Sequence, residues 1–224
     1  MKKYVSYIIM LAIVPAVILM GQFVFKNKEY AFVSLAVALI SCIPFFWAFE
    51  RKNHTTSRLI MVGVMTALSV VGRIVFAVVP GFKPVTAMII ITGIYFGSET
   101  GFMVGSLTAV ISNFYFGQGA WTPFQMLSWG LIGLLAGIFS EKLKKSKITV
   151  AIFGALSGVI FSLLMDFWNT LWWDGFFNIK RYMIMIGSSA WFTLIYAVSN
   201  VIFLIVLMKP MGDKIERVKI KFNI

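Results

Sequence analysis

Arg73, Asn113, Gln118, Gln125, Asp166 and Asn169 are polar side chains set in or beside long apolar runs of a 224-residue chain. Such groups act in a membrane only where protein shields them from lipid. Arg73 falls inside an apolar stretch. An arginine there is costly, and it faces a protein interior or a wet cavity that holds a partner. Asp166 is the partner nearest in depth. Two readings stay open for the pair: an ion pair that ties helices together, or a recognition charge at the floor of a binding site.

The run NFYFGQGAWTPFQM, residues 113–126, places amides, glycines, a proline and five aromatic rings between two apolar segments. Part of it reads as a helix start. Thr122 as N-cap, Pro123 at the first helical position and Gln125 three residues after the cap fit a capping box, with Trp121 and Met126 placed as a hydrophobic staple. That leaves Asn113, Tyr115, Gln118 and the Gly117/Gly119 pair unexplained, while Gln125 and Trp129 share one helix face. Rings supply apolar area and amides fix orientation, so the loop suits a neutral, partly planar ligand. Two further stretches have the same polar-aromatic character. RIVFAVVPGFK contains Arg73, Phe76 and Lys83. DFWNTLWWDGFFNIKRY contains Asp166, Asn169 and Trp173. Tryptophan at headgroup level also serves as an interfacial anchor, and the third stretch admits that reading.

Catalysis finds little to work with. No G-x-x-x-x-G-K-[ST] phosphate loop is present, so the chain is not expected to hydrolyse ATP itself. The one histidine, His54, lies in a basic turn, which removes a Ser–His protease and a His-rich metal site. No metal and no cofactor are expected, and the chain is read as a non-enzyme.

The elements that must position these residues are membrane helices. The chain is 60% hydrophobic and 12% charged, a composition of apolar spans rather than of a soluble domain. Eight segments can be drawn, at 4–25, 31–49, 59–79, 85–97, 101–116, 123–140, 148–165 and 182–208. The first is longer than a signal core and lacks a clear cleavage site, so it reads as a retained helix. Cys42, the single cysteine, sits in an apolar run and excludes an intrachain disulfide. With both termini cytoplasmic, fourteen basic residues fall inside and five outside, with Arg73 in a span. This follows the positive-inside rule. The +12 charge is therefore topology, and nucleic acid is not a partner. All three polar-aromatic stretches then lie at the outer ends of the spans.

Small residues recur four apart at Gly63/Ala67, Gly93/Gly97, Gly101/Gly105, Gly133/Gly137 and Gly154/Gly158. The spacing lets helix backbones approach. Internal packing is the expectation for most pairs, with at least one face free to dock a membrane partner.

The run from Gly72 to Phe139, with K-P-V-T-A, F-G-Q-G-x-W-T-P-x-Q-M and G-L-I-G-L-L-A-G as its motifs, resembles the substrate-binding S components of energy-coupling factor (ECF) vitamin transporters. The resemblance covers about residues 57–208. It implies an all-α integral membrane protein with a six-helix core, residues 53–224, preceded by two extra transmembrane helices, residues 1–52. It further implies capture of a vitamin or related micronutrient from outside the bacterial cell membrane, and release inward with a transmembrane coupling subunit and two cytoplasmic ATPases. The pocket would be built from outer loops and later helices, matching the three stretches above. Gly63 and Ala67 correspond to an A-x-x-x-A-like docking face on the first core helix, with glycine in place of the first alanine. Among S components the F-G-Q-G-x-W-T-P loop is most similar to the cobalamin-type branch, and other vitamins or nucleobase-like precursors stay open. The competing reading is a self-sufficient secondary transporter of a small organic solute, which should show repeated broken helices and mid-bilayer carboxylates. No convincing repeat is visible, and the acidic residues lie towards the surfaces.

Overall fold

The computed structural model describes residues 56–222 together with Ala36, Leu39, Ile40, Cys42, Ile43 and Phe46. The expected first span, most of the second, His54 and the boundary at residue 52 lie outside the described residues. The continuous part holds seven helices. They are α1 (Thr56–Val75), α2 (Val85–Phe96), α3 (Ser98–Phe116), α4 (Thr122–Ile138), α5 (Ser140–Lys145), α6 (Lys147–Asp174) and α7 (Ile179–Phe222). The last six segments drawn from the sequence each coincide with one of these; the six-residue α5 was not among them.

The short helix α2, VTAMIIITGIYF, is apolar on every side, and eleven of its twelve residues are buried. A helix greasy all round has to be enclosed, and α2 touches each of the other six helices. At 12 residues it is about 18 Å long, well under the ~30 Å of a bilayer core. Its neighbours cover the difference. α1, α6 and α7 are long and apolar enough to cross a membrane.

Small residues let α2, α3 and α4 close on one another. A methyl group on Gly93 or on Gly101 would collide with the Gly133 carbonyl, one on Gly105 with the backbone of Trp129, and one on Gly137 with that of Ser98. Gly154 and Gly158 admit α7 to α6 at Leu204 and Ala197. Gly63 differs, for among the described residues nothing lies within 4 Å of where its methyl would be, and Ala67 beside it is exposed there.

Two boundaries move in ways that matter for function. α6 runs through residue 174, so Asp166, Asn169 and Trp173 are helical rather than at a span end. The Gly175 cap (φ 74°, N–H to Leu171 O) stops it, a left-handed turn that glycine adopts without strain. α7 continues through Pro210 to residue 222. Buried Cys42 joins a cluster with Phe102, Phe124, Leu127, Leu134, Trp168 and Leu171, so part of the second N-terminal segment packs on α3, α4 and α6.

Candidate functional site

Asn113, on the last turn of α3 and 1% exposed, is the hub of the bundle end where α1 and α3 finish and α4 starts. Its Oδ1 accepts from Arg73 Nη1 at 2.8 Å. Its Nδ2 donates to Thr122 Oγ1 at 2.9 Å and to Gln125 Oε1 at 2.8 Å. Arg73 Nη1 also donates to Ser112 Oγ. Thr122 Oγ1 passes its own proton to Gln118 Oε1 at 3.0 Å, and Gln118 Nε2 reaches the Val110 carbonyl at 2.8 Å. One amide thus ties α1, α3, the 117–121 loop and α4 together.

Two expectations fall here. The capping box is absent: the N-cap position belongs to Trp121, no side chain caps α4, and Gln125 N bonds to the Trp121 carbonyl instead. Thr122 and Gln125 spend their side chains on Asn113, a bond worth more when buried than a cap exposed to water. Trp121 itself lies over Gly119. Arg73 does not pair with Asp166 either. Asp166 accepts from Ser189 Oγ on α7, one helix pair away. Among the described residues no carboxylate meets Arg73, and its cation is held by neutral oxygens and by rings.

Those rings define a slot. The Arg73 guanidinium lies 4.4 Å from the Phe116 ring and 5.1 Å from that of Trp129. Trp129 stacks on Phe161 of α6 (5.2 Å, 15°), and Phe161 meets Tyr196 of α7 edge-on at 5.6 Å. Lys83 Nζ stands 4.9 Å from the same Phe116 ring, its backbone clamped through N–H and C=O to Ser199 Oγ at 2.9 and 3.1 Å. Burial, and then the Arg73 charge, holds the Lys83 ammonium below the ordinary lysine range. Desolvated cation–π contacts contribute about 2 kcal/mol and hydrogen bonds to a charged group about 1.5–3 kcal/mol. These are of the same order as the ~3 kcal/mol cost of placing arginine in a span. The indole N–H of Trp129 is buried without an acceptor among the described residues.

Arg73, Lys83, Asn113, Gln118, Gln125 and Trp129 are thus brought together at one end of the bundle. Other expected residues lie apart. Phe76 packs with Phe82 and Phe203, Tyr115 is 65% and Trp173 71% exposed, and Trp121 and Asn169 are exposed. The tryptophan that goes inward from α6 is Trp168, stacked on Phe124 at 4.8 Å. Phe116, Ser112, Phe161 and Tyr196 were not singled out from the sequence. Phe116 stands beside glycines in the highlighted loop and was within reach of that reasoning. Phe161 and Tyr196 sit in ordinary apolar runs with no local signal.

With this geometry in place, comparison with known proteins adds one match. The family described as ECF-type riboflavin transporter, S component, matches residues 53–217. No curated protein and no solved structure matches the chain.

Proposed function

The chain belongs to the family of ECF-type riboflavin transporter S components, membrane subunits that bind a vitamin substrate, and from that premise we propose that its outer slot takes a flat ring system of the riboflavin class. The observation that carries this reading is a buried donor without an acceptor among the described residues, the Trp129 indole N–H, with the Arg73 guanidinium over the same ring. A planar ring with several carbonyl and imine oxygens and nitrogens would supply the acceptors, while Phe116, Trp129 and Phe161 supply stacking area. The family description names riboflavin, where the loop resemblance pointed to the cobalamin-type branch. Nothing in the slot favours the larger corrin.

Titration of purified protein with riboflavin, read by quenching of ring fluorescence on stacking, tests the assignment. Arg73→Met should lower the affinity 10- to 100-fold, equivalent to about 1.4–2.8 kcal/mol, with the thermal transition retained. Unchanged affinity would remove Arg73 from the site. Cobalamin recovered by mass spectrometry from protein grown in rich medium, in place of a flavin, would overturn the substrate class.

In this reading the basic end faces the cytoplasm and the slot faces outward. Ligand capture closes the 117–121 loop over the slot. A transmembrane coupling subunit then docks on the free face of α1 around Gly63 and Ala67, and two partner ATPases supply the energy for release inward. Support for the docking face comes from its openness and from the apolar groove it borders. That groove has a volume of about 610 Å³ and is lined by Val64, Leu68 and Val71 of α1 and by Phe203, Leu207 and Met211 of α7.

A further inference from the structure

At the opposite end of the bundle from the Arg73 slot lies a cavity of about 430 Å³, between the end of α2, α5, the first turn of α6 and the middle of α7. Its lining divides in two. Lys144, Lys147 and Lys209, with Tyr95, Ser146 and a single carboxylate, Asp213, make up the polar part. Val150, Leu204, Ile205, Val206 and Met208 form the other. Leu204 is fully buried, while Ile205 and Val206 are 58% and 60% exposed, so the apolar wall opens sideways along α7. The amino end of α6 adds its own partial positive charge. The walls are firm: Lys144 Nζ lies 4.7 Å from the Tyr95 ring, Gly212 packs against the Tyr95 hydroxyl, and Lys219 Nζ donates to the Tyr95 carbonyl at 2.9 Å.

We infer that this cavity binds an anionic phospholipid of the inner leaflet, its phosphate among the three lysines and an acyl chain leaving along Ile205 and Val206. A cavity of this volume lies in the range of small-molecule sites. Three cations against one anion select a negative headgroup, as basic pockets between membrane helices do. The apolar wall decides for lipid over a soluble phosphate ester, which would gain nothing from Val150 or Leu204. Lys209 closes the apolar part of α7, which puts the cation cluster at headgroup depth.

The inference rests on the orientation proposed above. The test is made on the detergent-purified full chain, so its failure leaves flavin binding, read separately, untouched. Native mass spectrometry should show phosphatidylglycerol retained at least tenfold over phosphatidylcholine. The variant Lys144→Gln/Lys147→Gln/Lys209→Gln should lose that preference. Lys142→Gln/Lys145→Gln/Lys221→Gln, which removes equal charge outside the cavity, should keep it. If the cavity triple does not fold, the single variants Lys147→Gln and Lys209→Gln should each lower retention about threefold. Equal loss in both triple variants would show diffuse attraction and overturn the site, as would no headgroup preference in the wild type. Displacement of phosphatidylglycerol by millimolar inorganic phosphate would overturn the lipid assignment in favour of a bare phosphate site.

Discussion

Gly133 on α4 and Gly63 on α1 each belong to a pair of small residues four apart, and the two positions have opposite fates. Around Gly133 the backbones of α3 and α4 close until the Gly101 carbonyl occupies the space a methyl would need. Around Gly63 there is nothing within 4 Å among the described residues, where the neighbours Val64, Leu68 and Val71 are exposed. Among those residues the same spacing marks a completed interface in one place and an open one in the other. In lipid, where association relies on close packing more than on hydrophobic driving force, a vacant small-residue face is a place for another helix.

The sharpest way to break this comparison is to fill both positions. Gly133→Val should cost at least about 3 kcal/mol, the upper range for overpacking, because only backbone stands in its way. Loss of monodisperse folded protein on size-exclusion chromatography is the expected result, and a normal thermal transition would show that the α3–α4 contact is softer than described. Gly63→Leu should leave the thermal transition within about 0.5 kcal/mol of wild type, as for other open positions, and leave flavin affinity unchanged. It should lower co-purification with the coupling subunit tenfold or more; unchanged co-purification would move the docking face elsewhere. A third glycine calibrates the pair. Among the described residues Gly187 on α7 is also open, with nothing within 4 Å, but it lies far along α7 from the proposed docking face. Gly187→Ala should raise stability by about 0.5–1 kcal/mol through helix propensity alone and leave assembly unaffected. A fall in assembly there would mean that openness, and not location, had been misread.

The helices were legible because hydropathy reports burial in lipid or protein alike, and α2 shows the limit of that signal. Its 12 residues are too few to cross a bilayer, and its uniform greasiness reflects enclosure by six helices. The Asn113 network was legible as a collection of polar residues but not as a set of bonds. The T-P-x-Q pattern satisfies a local template, and the winning partner, Asn113, lies nine residues before Thr122. Similarly, Asp166 was matched to Arg73 by depth, whereas pairing also depends on which way each helix is turned; Ser189 faces Asp166 and Ser112 faces Arg73. Phe161 and Tyr196 carry no local mark at all, since only the approach of α6 and α7 to α4 gives them a place in the slot.

The 44 residues of α7 make a rod of about 66 Å, twice the ~30 Å thickness of a bilayer core. Near its middle Tyr196 meets the aromatic stack of the slot, and its last turns are latched to the central helix through Lys219 and Tyr95. Such a beam converts a small change of tilt at the vitamin end into a displacement of several ångströms at the far tip. A partner gripping that tip could feel whether the slot is full without ever touching the vitamin.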